Sequence, residues 1–220
     1  MHIADVWTGP LTTEKRPWEA LPRPWVLDIG SGGAPFPFAN ILLDLYPGEG
    51  YPHRNVPLRV GPGQILVQGD AHHLPFEDGE IDFVWVMDLL EHVDDPKQVI
   101  SEMVRVSPMG IIGMPTVALE AIIQVIRDGE KSNGHKWLCR SEGPGLLGFL
   151  RCDDSKKDEV RGLLATLGWW PRVPTSLYNA NIFHCWGWGG WNETIEGKLY
   201  EPTEESVRSW GAVYAFGGEI

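Results

Sequence analysis

The chain has 220 residues, 43% of them hydrophobic, and its 18 Lys and Arg against 30 Asp and Glu give a formal net charge of -12. That length fits one domain with a full core. The acidity excludes a general nucleic-acid surface, which needs clustered cations, but suits a cationic or neutral ligand. No run reaches the roughly 18 apolar residues of a membrane helix, and MHIADVWTGPLTTEKRP lacks the basic start and apolar core of a signal peptide. The cysteines Cys139, Cys152 and Cys185 are odd in number and form no CxxC pair, so reduced thiols and a cytoplasmic location are expected.

In chain order, residues 1–24 are polar and broken by proline, and are expected to wrap the surface. Five short apolar runs follow: WVLDI (25–29), NILLD (40–44), QILVQ (64–68), IDFVWVM (81–87) and MGIIGM (109–114). Each is strand-length and rich in β-branched or aromatic residues, and such continuous runs fit parallel strands covered on both faces. Only ten residues separate the first two, near the minimum of about 10–12 for a crossover. Pro35 and Pro37 also forbid a regular helix directly after the glycines, so a shortened or absent first helix is expected. The spacing predicts a helix over 94–106, capped by Asp95, with Pro96 at its first position and Val99, Ile100, Met103 and Val104 on its apolar face. Further helical patterns cover 117–128 and 156–167, the latter ending at Gly168. GHKWLCRSEGPGLLGFLRC (134–152) predicts a hairpin around SEGPG, within an insertion over 117–155 that would form a lid. NIFHCWGW (181–188), a Gly189-Gly190 turn and WNETIEGKLY (191–200) predict antiparallel strands over 175–200. The expected fold is α/β: one domain over 1–220, a mostly parallel sheet, an antiparallel C-terminal edge strand and a Trp-rich β-hairpin extension.

The chemistry gathers at the strand ends. A strand ending in Asp28 that opens into Gly30, Gly32 and Gly33 would leave several backbone N–H groups free and let a ligand approach closely. Alone this pattern fits many nucleotide-binding proteins, or merely a tight turn. Asp44 ends the next strand, where a carboxylate can accept from both ribose hydroxyls. Asp70 follows the third strand, where it could accept from an exocyclic amine. Three successive strands thus deliver acids to one sheet edge, where open α/β sheets bind ligands.

Over roughly residues 25–115 the chain resembles the class I methyltransferases that use S-adenosylmethionine (SAM). The likeness runs through VLDIGSGG, ILLDLYP, GDAHHLPF, IDFVWVM, LLEHVDDP and SEMVRV. With LDxGSGxxPFP, DAxxLPF, LEHVxDP and the later GHKWL, it is similar to a bacterial small-molecule or glycan-associated branch. The resemblance implies a Rossmann-like methyltransferase fold, SAM as cofactor and S-adenosylhomocysteine as product. It implies that Asp28 and the backbone of Gly30, Ser31, Gly32 and Gly33 hold the methionine end, and that Asp44 and Leu45 meet the ribose. Asp70 would take the adenine amine and the Ala71 amide the ring, with Leu74 and Phe76 near the base or in the core. Asp88 completes the cofactor set. The chain departs from the common pattern at Ala34, which displaces the third glycine of a GxGxG series. A nicotinamide dehydrogenase fits less well: its fingerprint needs a helix opening at the glycines and an acid about 20 residues on.

On the acceptor side, Asp88, Glu91, His92 and Met114-Pro115-Thr116 fall at the mouth beyond the fourth and fifth strands. His135 and Trp137 sit on the proposed lid. His135 and His92 are the candidate bases, while Glu91, Thr116 and Trp137 are expected to face substrate. His72 and His73 are expected to frame the adenine loop. Histidine and cysteine show no compact ligand spacing, so no metal is expected. The chain lacks the [ND]PP[YFW] motif of amino-methylating DNA enzymes, the Pro-Cys nucleophile of cytosine C5 enzymes and any basic arm. The expected function is methyl transfer, on oxygen, to a small-molecule, sugar or lipid-linked acceptor. The alternatives are a SAM-binding protein without catalysis, and an interaction protein that uses the tryptophans Trp169, Trp170, Trp186, Trp188 and Trp191. Their bland reading is packing.

Overall fold

The computed structural model describes residues 6–7, 16–48, 57–115, 134–143, 145–152, 186–191, 195–206 and 209. The helical patterns at 117–128 and 156–167, together with Thr116, Trp169, Trp170 and Cys185, lie outside the described residues. The five predicted strands form as β2 (Val26–Ile29), β3 (Ile41–Asp44), β4 (Ile65–Gln68), β5 (Phe83–Met87) and β6 (Gly110–Pro115). They follow β1 (Val6–Trp7), a short strand that pairs in parallel with β4. The remaining strands are β7 (Trp137–Gly143), β8 (Leu146–Arg151), β9 (Trp186–Trp191) and β10 (Glu196–Tyr200).

A seven-stranded sheet runs in the order β1-β4-β3-β2-β5-β6-β9. Every neighbouring pair is parallel except β6 and β9, so the antiparallel edge strand forms as expected. From β2 the chain builds outward through β3 and β4, then returns to place β5 and β6 on the other side. That reversal between β2 and β5 opens a crevice at their carboxyl ends, the switch point of a Rossmann-like α/β sheet.

Both sheet faces are covered, which is why the strands read as unbroken apolar runs. Leu27, Ile29, Ile41, Leu43, Val67, Val84, Val86 and Ile112 belong to the main core. Leu42 and Leu66 point the other way, where Ala39, Phe36, Leu58 and Val60 pack on them. No helix forms over residues 30–40, as the prolines dictate. Instead the loop covers this face itself. Phe36 stacks on Trp85 of β5 at a centroid distance of 4.0 Å, and Gln64 donates to the carbonyls of Phe36 and Ala39 at 3.3 and 2.8 Å.

The predicted helix is α1 (Pro96–Val106), with Asp95 accepting from the Lys97 and Gln98 N–H groups. Its buried face is Val99, Ile100, Met103 and Val106, whereas Val104 is only partly buried. Residues 16–24, expected on the surface, carry a 3-10 turn at Pro17–Ala20 whose Trp18 is fully buried against Phe76.

The C-terminal strands need one correction. β9 runs straight through Gly189 and Gly190, which pair with Ile112 and Ile111, so no turn forms there and β9 and β10 make no hairpin with each other. The open edge of β6 offers a row of backbone donors and acceptors that any extended segment can satisfy, and that pairing outweighs the local turn preference. β10 instead joins a second, three-stranded sheet in the order β10-β8-β7, parallel to β8. The hairpin expected around SEGPG does form, as β7 and β8. Trp137, Cys139, Leu147 and Phe149 of this hairpin belong to the main core, so the described part of the predicted lid is packed into the molecule.

Candidate functional site

A cleft of about 290 Å³ opens at the carboxyl ends of β2, β3, β4 and β5, lined in part by Gly30, Gly32, Asp44, Asp70, Asp88 and His92. Its size lies at the lower end of small-molecule pockets, about 300–1,000 Å³. Gly30 and Gly32 carry φ of 73° and 51°, the left-handed region that favours glycine. A Cβ on Gly30 would also meet Leu89 Cδ1 at 3.0 Å, so the backbone there needs glycine on two counts. The expected free amides are partly turned inward. Gly30 N–H donates to the Leu43 carbonyl at 2.7 Å, and Gly32 N–H reaches Asp44 Oδ2 at 3.4 Å. The short crossover brings the β3 end against the loop, and its acceptors take those donors.

Asp44 is 6% exposed and lines the cleft, its Oδ1 accepting from Tyr46 N–H at 2.7 Å. Asp70 stands across from it on the loop after β4. Its carboxylate accepts from the backbone N–H of His72 at 2.9 Å and meets His72 Nδ1 at 2.7 Å. Burial raises the Asp70 pKa, but the His72 hydrogen bonds and the nearby imidazoles lower it further, so it lies below its ordinary value. His72 Nε2 in turn accepts from Asp95 N–H at 3.3 Å, which ties the loop to the start of α1. Leu45 and Ala71 line the same cleft, while Leu74 and Phe76 are buried in the core.

Asp28 sits apart from the cleft lining. It is 3% exposed and accepts from Phe36 N–H at 2.7 Å, pinning the proline loop. Burial pushes its carboxyl up to about 7, with the Asp44 charge adding to the rise and the Phe36 hydrogen bond opposing it. Ser31 is buried, its hydroxyl with no hydrogen-bond partner among the described residues, and neither it nor Gly33 lines the cleft.

On the other wall, Asp88 directly follows β5 and takes φ 51°, a strained conformation for a residue with a side chain. His92 lines the cleft, and its ring meets that of His135 edge to face at a centroid distance of 4.5 Å. His135 stands behind His92 rather than in the lining. Glu91 is fully buried beneath them. Trp137 is 4% exposed and donates through Nε1 to the Val93 carbonyl at 2.9 Å, so it braces the mouth from inside. Tyr46 and Lys136 also line the cleft and were missed in the sequence. Tyr46 follows Asp44 by two residues in ILLDLYP, a signal that was legible; Lys136 had none.

Residues 51–112 match the family model described as a methyltransferase domain. Among curated relatives, a demethylmenaquinone methyltransferase from Renibacterium salmoninarum is 34% identical over 94 residues, covering 41% of this chain and 40% of its own. A probable chloroplastic tocopherol O-methyltransferase from Oryza sativa subsp. japonica is 48% identical over 42 residues, 19% of this chain and 12% of its own. A norajmaline N-methyltransferase from Rauvolfia serpentina is 45% identical over 42 residues, 19% of this chain and 14% of its own. The chain therefore spans less than half the length of each of these relatives. The domain match falls across β4, β5 and α1, beside the cleft that Asp44, Asp70 and the glycine loop enclose, and over that stretch the chain is similar to methyltransferases.

Proposed function

We propose that the protein binds SAM in this cleft and transfers its methyl group to a small organic acceptor, on oxygen. The carrying observation is Asp44: a nearly buried carboxylate at the end of β3, facing the cleft across from the glycine loop. A carboxylate in that place suits a pair of ribose hydroxyls. The donors present fit the rest of the molecule too, since Gly30 leaves space that a Cβ would close and Asp70 offers acceptors on the adenine side.

SAM, when bound, supplies an electrophilic methyl on sulfur, and in-line transfer asks the protein chiefly for positioning. The cleft walls would hold the reactants in place. His92, which lines the cleft, is the better placed of the two histidines to take a proton from an acceptor hydroxyl, with His135 orienting its ring. The relatives' names give demethylmenaquinone, tocopherol and norajmaline as acceptors, which supports a small organic acceptor.

Titration calorimetry with SAM tests the reading. Asp44→Ala should weaken binding about tenfold to a hundredfold, the loss of about 1.5–3 kcal/mol from charge-assisted hydrogen bonds. Circular dichroism should show the fold retained. Unchanged affinity would place the ribose elsewhere. Binding without S-adenosylhomocysteine production across quinol, phenol and sugar acceptors would leave a binding protein rather than an enzyme.

A further inference from the structure

The fold builds a cluster that the sequence spacing does not announce. One carboxylate oxygen of Glu91 and one ring nitrogen each of His92 and His135 all lie within 4.8 Å of one another. We propose that these three residues form a site for a divalent transition metal, with Zn²⁺ the best match, at the edge of the methyl-transfer cleft.

The donor set decides the class of ion. Two imidazoles with one carboxylate suit Zn²⁺ and its borderline neighbours, whereas Mg²⁺ and Ca²⁺ select oxygen ligands. Tetrahedral Zn²⁺ with ligands at about 2.0–2.2 Å needs donors spaced about 3.3–3.6 Å apart. Closing from 4.8 Å asks for side-chain rotation of an ångström or so, within reach of rotamer adjustment.

The surroundings are those of a ligand site. Lys136 N–H and Trp137 N–H donate to the Glu91 carbonyl at 2.6 and 3.3 Å, which fastens the 134–137 segment onto the Glu91–His92 turn. The turn itself is closed by His92 N–H donating to the Leu89 carbonyl at 2.9 Å. His92 Nδ1 lies 3.2 Å from the Gly134 carbonyl, and Gly134 takes φ 81° to present it. As donor there, Nδ1 carries the proton, and metal-ligating histidines commonly hold one ring nitrogen in this way. Glu91 is 0% exposed, which holds its carboxylate away from solvent and beside the two imidazoles. Three protein ligands leave a fourth position, and because His92 lines the cleft that position would be reachable from it. The ion site stands on its own ligands; only its use rests on the methyl-transfer reading, and with the ion bound His92 is a ligand, so polarisation of the acceptor oxygen by the ion replaces His92 as base.

Metal binding to the full chain tests this without any turnover. After chelator treatment, Zn²⁺ titrated against a chromophoric competitor should bind one to one with a Kd of about 1 μM or tighter. Co²⁺ in its place should give the intense visible bands of a four-coordinate nitrogen and oxygen site. His135→Ala and Glu91→Gln should each weaken Zn²⁺ by about 100-fold or more, since even supporting residues around metal ligands cost 10–100-fold. Glu91 is buried, so its variant is read only if circular dichroism shows it folded; His135→Ala and the Co²⁺ spectrum of the native chain decide otherwise. Absence of a one-to-one site, a Co²⁺ spectrum of hexa-aquo type, or native affinity in His135→Ala would overturn the proposal. Zinc binding in a protein that fails to bind SAM would retain the metal site and reject the methyl-transfer reading.

Discussion

At the scale of single residues, Asp28 shows how burial changes a carboxylate's role. Its side chain points to the face covered by the proline loop, where it meets Phe36 N–H and its carboxyl is pushed up to about 7. In the unfolded chain it titrates near 3.8. Between those values the native state holds a proton that the unfolded state has lost, so stability falls as pH rises from about 4 to about 7 and is level above that. That rise in pKa corresponds to about 4 kcal/mol for this group. Asp28→Asn keeps an acceptor for Phe36 N–H and removes the titration. Thermal melts at about pH 5 and about pH 8 should differ less for Asp28→Asn than for the native chain, with the variant the more stable of the two at the higher pH. An identical pH profile in both proteins would show that Asp28 does not carry this dependence. Asp70, Glu102 and Glu142 work in the opposite direction: their pKa values are lowered, so the stability they contribute is lost as pH falls below the ordinary carboxylate range.

At the scale of elements, α1 is the clearest case of local sequence and tertiary structure agreeing. Asp95 accepts from two first-turn N–H groups, Pro96 fits a position whose N–H has no helical partner, and Ser107-Pro108 ends the helix. Asp95→Ala should lower unfolding free energy by about 1 kcal/mol, read as a drop in denaturant midpoint, with His72 losing part of its setting as the Asp95 turn loosens. No change in midpoint would mean the cap is satisfied by solvent. The helix also anchors the loop before β5. Arg105 donates to the carbonyls of Leu74 and Phe76 at 3.0 and 2.8 Å while pairing with Glu102, so one side chain fixes the shape of the LPFED turn beside the cleft. The strands were legible for a simple reason: parallel strands covered on both faces must be apolar throughout. The Gly189-Gly190 turn was not, because pairing along β6 is decided by an edge far away in sequence.

At the scale of the whole molecule, two sheets share one core. Phe149 of β8 is fully buried in the same cluster as Val99 and Met103 of α1 and Val84 of β5. A Cβ on Gly197 of β10 would come within 3.1 Å of Ile100 Cδ1 and 3.4 Å of Phe149 Cε2, which shows how closely the small sheet seats on the helix. The two sheets should therefore unfold together. Phe149→Ala should cost about 3–5 kcal/mol. It should lower the denaturant midpoint while leaving a single transition of unchanged slope. A separate early transition in that variant, with the large sheet intact, would show that the small sheet is an independent unit.

The sequence by itself determined the five parallel strands, the missing first helix, the α1 boundaries and the acids Asp44 and Asp70. These features depend on short-range chemistry: apolar runs, proline's fixed φ, a capping carboxylate and glycines at a strand end. Only the tertiary structure decided which side chains meet. It joined Asp28 to Phe36 N–H, buried Trp137 with its Nε1 on the Val93 carbonyl, and set His92 at the cleft with the His135 ring against it. It also brought Glu91, His92 and His135 together across a long stretch of chain. No local pattern carries that information, because the hydrogen bonds joining residues 134–137 to the Glu91 turn exist only once β5 and β7 have packed on the same core.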